Sequence, residues 1–209
     1  MAIYNYEIKA REFHNEKNYL ASENECTSKK SERIEKRNRD WNHLMRERRR
    51  ITAHVIQQEE LERYRAVNKD KSVKDLAQEK HHPTSKLARN LRAVGEPKPT
   101  VIHEAHHIIP GKGRHLKAMM AVCRLYGIGT NDPVNGVWLR NFSKNTSDDW
   151  ATPEAPPHRP LHTKNYEEWI SSSFSNDNLP ETVFGARLCK VKHELKSGTH
   201  PSNILVGKE

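Results

Sequence analysis

Apolar residues are sparse over the first third of the chain. Between residues 22 and 68 the sequence is mostly Glu, Lys, Arg and Gln with no Pro or Gly, and Trp41, Leu44, Met45, Ile51 and Val55 form a narrow stripe at helical spacing. This pattern predicts one or two long helices with a weak apolar seam. The run "RERRR" at 46–50 reads as a solvated helix face, because charge runs usually are. A short helix is expected over "VKDLAQEK". Another follows in "TSKLARNLRAVG", where Leu87, Leu91 and Val94 share a face, Thr84 or Ser85 serves as cap and Gly95 ends the helix.

After "EPKPT" the pattern shortens. "TVIHEAHHII" predicts a strand stopped by the "PGKG" turn, and "LKAMMAVCRLYG" a helix ended at Gly127. "NDPVNG" reads as a turn before a brief strand, "VWLRN". "PPHRPLHTKNYEEWISSSF" predicts a proline-initiated helix, and "ETVFGARLCKVKHELKSG" one more. Trp138, Leu139, Tyr166, Trp169 and Ile170 lie at core-like spacing. The expected fold class is α+β and mostly helical, with a charged helical arm over residues 1–75 and a denser domain over 76–209.

Composition agrees with a thin first part. Only 34% of the 209 residues are hydrophobic and 30% are charged, too few apolar positions for one continuous core. The net charge of +9 suits a protein that meets polyanions. The three cysteines are scattered with no Cys-x-x-Cys pair, which argues against a disulfide framework or a thiolate zinc site. The N-terminus lacks the apolar segment of a secretory signal and no run is long enough to span a bilayer. Synthesis in a reducing cytoplasm without membrane insertion is therefore expected.

Candidate chemistry concentrates in histidine. Of the 13 histidines only His14, His43 and His54 fall in the arm. "HEAHHIIPGKGRH" carries four, at 103, 106, 107 and 115. Neutral imidazole is a good metal ligand and, with a pKa near 6.5, a plausible general base. Adjacent residues on a strand point to opposite sides, so His106 and His107 are suited to different tasks. Downstream, "HRPLH" places His158 and His162 four residues apart, the spacing that puts two rings on one helix face, although the surrounding prolines set the pair at or just before the helix start. His81, His82, His103, His193 and His200 have no assignable partner.

The order "AHHIIP", then an Asn at the mouth of the strand in "VNGVWL", then "HRPLHTKNY" resembles the AHH nuclease family of the HNH/endonuclease VII superfamily. The resemblance spans roughly residues 84 to 175. It implies a ββα-metal core in which His106, His158 and His162 hold one divalent ion, His107 activates water, and Asn135 orients that base and braces its loop. Phosphodiester hydrolysis needs such a base and a positive centre beside the phosphate. An imidazole set suits Zn²⁺, Ni²⁺ or Mn²⁺ better than Mg²⁺, whereas the family is described as Mg²⁺- or Mn²⁺-competent. Lys112, Arg114, His115, Arg140, Lys144, Arg159 and Lys164 are the expected backbone contacts to DNA, sequence-blind and salt-sensitive.

The resemblance further implies a largely nonspecific deoxyribonuclease of the kind found at the ends of bacterial polymorphic toxins and type VI effectors. Such a toxin is neutralised by an immunity protein and delivered by a secretion system into a target cell, with the arm as loading or adaptor segment. Two other readings compete: a phage or restriction-associated nuclease using the same site, and a non-enzymatic module with a structural zinc. Against the last, only three ligands are identified where a structural site normally has four.

Overall fold

The structure is a computed structural model in which residues 2–17, 26–80, 82–110, 117–174 and 179–206 are described. It divides into two compact units, Met1–Ile56 and Gln57–Glu209. The dividing point falls inside a helix, 19 residues ahead of the boundary expected between 75 and 76.

The first unit consists of α1 (Ala2–Lys17) and the opening part of α2 (Thr27–Lys69). Its seam is as thin as the sequence predicts. Phe13 stacks on Trp41 with centroids 5.4 Å apart, Arg37 lies over Phe13, and Leu44 is buried. Trp41 and Val55 remain substantially exposed. Among the described residues, no helix is long and apolar enough to cross a membrane.

The second unit holds the rest of α2, then α3 (Val73–Ala77), α4 (Ser85–Ala93), β1 (His103–His107), α5 (Lys117–Leu125), β2 (Gly136–Arg140), α6 (Lys164–Ser173) and α7 (Glu181–Ser197). The α+β, mostly helical character is as expected. β1 and β2 pair antiparallel in the register His103↔Arg140, Ala105↔Trp138, His106↔Val137 and His107↔Gly136. Paired residues face the same side and alternate along each strand, so the register defines two faces.

Ala105 and Trp138 turn one face to α4, where they pack with Leu87 and Leu91. Both leucines are fully buried, each contributing roughly 2 kcal/mol by removal from water. Gly136 makes room for this packing, since a Cβ at that position would lie 2.6 Å from Leu87 Cδ1 and the leucine would have to shift. Val137 and Leu139 turn the other way. They join Ile108 and Ile109, Met120 of α5, Tyr166 and Ile170 of α6, and Phe184, Leu188, Val191 and Leu195 of α7 in the main core. The residues Trp138, Leu139, Tyr166 and Ile170 are thus core, as their spacing indicates. Gly95, Gly127 and Gly198 follow α4, α5 and α7 at positive φ, the backbone conformation that favours glycine after a helix.

Candidate metal centre and base

β1 sorts its two histidines by alternation. His106 looks toward Tyr166 of α6 and Glu104 toward His158 and Arg159 just before that helix, whereas His107 looks toward Asn131 on the α4 side. Both rings are buried, at 0% and 5% exposure. His158 and His162 reach His106 from a turn rather than from a helix. The segment 159–161 is a single 3-10 turn and α6 starts only at Lys164, because Pro160 supplies no N–H and Thr163 provides the cap. Leu161, fully buried, anchors this turn between the two histidines. His158 and Arg159 donate their backbone N–H groups to Arg140 and Asn141 at 2.7 and 3.2 Å, which holds the turn alongside the end of β2.

The three rings form a triangle with centroids 5.0 Å (His106 to His158), 5.2 Å (His106 to His162) and 5.6 Å (His158 to His162) apart. One nitrogen from each lies within 4.8 Å of the others. The three imidazoles selected from the sequence are therefore brought together.

Hydrogen bonds identify the nitrogen that two of the rings present. Tyr166 Oη donates to the Ile108 carbonyl at 2.8 Å and so accepts from His106 Nε2–H at 3.0 Å. The lone pair of His106 then sits on Nδ1, which is buried with no hydrogen-bond partner. Glu104 Oε2, an acceptor only, takes the Nδ1–H of His158 at 2.9 Å, which leaves the lone pair of His158 on Nε2. Locking a ligand's tautomer through its other nitrogen is how proteins prepare metal-binding imidazoles. The donor set fits a divalent cation, and a buried imidazole nitrogen without a partner is the feature such an ion would satisfy.

All three rings are held below the ordinary imidazole range. Burial is the first cause for each, reinforced at His106 by His158, His162 and His107, at His158 by His162, and at His162 by His82. Glu104 works in the opposite direction on His158. The rings are thereby kept neutral and able to coordinate.

Asn135 does part of what was expected of it. Its Oδ1 accepts from Ile109 N–H at 2.8 Å and its Nδ2 donates to the carbonyls of Ile109 and Thr130, so it braces the chain leaving β1. The amide beside His107 is instead that of Asn131, whose Oδ1 is 3.2 Å from His107 Nε2. Three contacts thus escaped the sequence reading. Glu104 was legible, two positions before His106 on the same strand face. Tyr166, four residues after His162, registered only as core. Asn131 carried no signal.

The expected DNA contacts divide. Arg159 is 57% exposed, pairs with Glu104 at 3.1 Å and lies over Phe142; Lys164 is 55% exposed beside Glu168; Lys144 lies over Phe142. Arg140 corrects the expectation. It is buried, and its Nη1 donates to Asp149 and to the carbonyls of Thr152 and Pro153. Lys112, Arg114 and His115 lie outside the described residues, as does His81. His103 is structural, its nitrogens engaged by Thr100 and Thr152. A cleft of about 600 Å³ beside the triangle is lined by His158, His162 and Arg159 together with Arg92, Lys98 and His82.

Two paired antiparallel strands followed by a turn and helix, gripping three convergent imidazoles, define a ββα-type histidine centre. Residues 87–196, more than half of the chain, match the model of AHH, a nuclease family of the HNH/ENDO VII superfamily with conserved AHH, and the chain belongs to that family. It is accordingly an HNH-type endonuclease. No curated protein and no solved structure matches the chain.

Proposed function

We propose that this endonuclease hydrolyses DNA phosphodiesters with little sequence preference, using one divalent cation on His106, His158 and His162 and His107 as general base. The observation that carries the reading is the convergence of three neutral imidazoles, two with fixed tautomers and one with a buried unpartnered nitrogen. A cation bound there supplies Lewis acidity to the scissile phosphate and its leaving oxygen. His107 takes the proton from water. Arg159, Arg92 and Lys98 in the cleft neutralise the DNA backbone, contacts that attract any sequence alike. Zn²⁺, Ni²⁺ or Mn²⁺ suits this donor set better than Mg²⁺.

The biological part of the proposal is an antibacterial effector, delivered by a specialised secretion system into a target cell's cytoplasm and neutralised in the producer by an immunity protein. Its support is the company that AHH domains keep in bacterial toxins. Its test is growth of a bacterial host on induction, which wild type should arrest and His107→Ala should not.

The chemical test is plasmid digestion by wild type and His107→Ala, each with and without a chelator. Wild type should cleave only without the chelator. His107→Ala should lose about 10²- to 10⁴-fold, the usual worth of a general base, while retaining cation and DNA affinity. Equal digestion by both proteins removes His107 from this role, and digestion indifferent to the chelator removes the cation.

A further inference from the structure

Asn131 connects the proposed base to residues that precede the family-matched segment. Its Nδ2 donates to Glu79 Oε1 at 3.0 Å and to the Lys80 carbonyl at 3.0 Å, and its Oδ1 faces His107 Nε2 at 3.2 Å. The reverse orientation of this amide would set its oxygen against a carboxylate and a carbonyl, two acceptors with no hydrogen to share. The amide therefore has one sense. Since Oδ1 only accepts, His107 Nε2 must carry the proton, and the lone pair of the neutral ring lies on Nδ1.

Glu79 is itself held. Tyr64 donates to its two oxygens at 2.9 and 3.0 Å and Lys86 Nζ donates to Oε1 at 2.9 Å. Lys86 also lies over the Tyr64 ring, 4.3 Å from its centroid. Burial pushes the Glu79 carboxyl up, but hydrogen bonds from Asn131, Lys86 and Tyr64 outweigh this and hold it below the usual carboxylate range. It remains an anion, the form that can only accept from Asn131. The Asn131 backbone is pinned as well, its carbonyl accepting from Asn90 Nδ2 at 2.8 Å. Asn131 is 1% exposed.

We infer that Asn131 and Glu79 are positioning residues, a relay from α2 and α4 that fixes His107 in the Nε2–H tautomer so that Nδ1 receives the proton from water. The inference rests on the reading of His107 as the base. It adds that Tyr64, Glu79 and Lys86, all ahead of residue 87, position His107 through Asn131 in this chain. This is the same tautomer logic by which the Asp of a serine-protease triad sets its histidine.

The test uses the full-length protein, loaded with diamagnetic Zn²⁺ for spectroscopy and with Mn²⁺ for cleavage of a duplex oligonucleotide. In the ¹⁵N imidazole spectrum of wild type, His107 should show a protonated Nε2 and an unprotonated Nδ1. Asn131→Ala should lose that pattern and lower kcat about 10²-fold, within the range general-base assistance spans, while KM and the Mn²⁺ Kd stay within about twofold. Glu79→Gln, which keeps an acceptor for the amide, should fall between Asn131→Ala and wild type. A proton on Nδ1 in wild type, or undiminished kcat in Asn131→Ala, overturns the inference. Should Asn131→Ala fail to fold, the wild-type spectrum still decides it. If His107→Ala cleaves normally while the spectrum is as described, the base assignment has failed and the tautomer assignment has not.

Discussion

Tyr166 Oη lies 3.0 Å from His106 Nε2, and its own proton goes to the Ile108 carbonyl. One hydroxyl thus fixes which nitrogen of a buried ring carries hydrogen, from a residue placed by the turn that carries the other two histidines. Thr163, directly after His162, caps α6 by accepting the Tyr166 N–H at 3.1 Å. Tyr166→Phe keeps the ring and its packing but removes the acceptor. His106 is then without its tautomer lock, and the Mn²⁺ or Zn²⁺ Kd should rise about 10- to 100-fold by calorimetry. Affinity within twofold of wild type would show that Tyr166 is core alone.

Glu104 gives a graded version of the same test on His158. Glu104→Gln retains a neutral acceptor for the His158 Nδ1–H, whereas Glu104→Ala retains none. Cation affinity should decrease in the order wild type, Gln, Ala, with the alanine variant weaker by about tenfold. Loss of the Arg159 pair contributes little stability, since Arg159 is 57% exposed and surface pairs are worth about 0 to 1 kcal/mol. An alanine variant that binds as tightly as wild type would remove Glu104 from the site.

The depressed imidazoles give the protein a pH dependence of definite sign. His106, His158 and His162 bind protons less readily when folded than at their ordinary value of 6.5. The unfolded chain therefore takes up more protons below that value, and stability is complete above about pH 6.5 and lost as pH falls toward the folded values. His103, lowered chiefly by burial, acts in the same direction. Glu79, Glu104 and Asp149 are lowered from 4.5, 4.5 and 3.8, so their loss belongs to a more acidic window. Chelator-treated protein should show a lower Tm at about pH 5.5 than at about pH 7.5. His162→Gln should flatten the dependence. A Tm that holds or rises on acidification contradicts this account.

What was legible in the sequence followed from short-range rules. Strand alternation separated His106 from His107, the prolines set His158 and His162 at or just before a helix start, and glycines marked the ends of α4 and α5. That helix starts at Lys164, after Pro160 and the Thr163 cap, so the histidines sit on the turn ahead of it and not on one helix face. Asn131 was illegible for a different reason. Its partners, Glu79 and Lys80 on one side and His107 on the other, are 52, 51 and 24 residues away in sequence, and only the packing of α4 against the hairpin unites them. Arg140 was misread because a strand arginine next to an exposed loop looks the same in sequence whether its fork meets solvent or Asp149.

Arg140 and Arg159 should accordingly behave as opposites. Arg140 is 6% exposed and paired with Asp149, itself 2% exposed, so Arg140→Met leaves a buried carboxylate short of its cation. Breaking a buried pair from one side typically costs about 3 to 5 kcal/mol, and the variant should melt well below wild type while its folded fraction binds DNA with an unchanged salt dependence. Arg159→Ala should melt near wild type yet bind DNA more weakly, with the slope of log K against log salt reduced by about one phosphate contact. Fluorescence anisotropy across a salt series, combined with thermal unfolding, separates the two outcomes. A reduced salt slope for Arg140→Met would mean that its guanidinium reaches the DNA after all, which the enclosure of Nη1 by Asp149, Thr152 and Pro153 opposes.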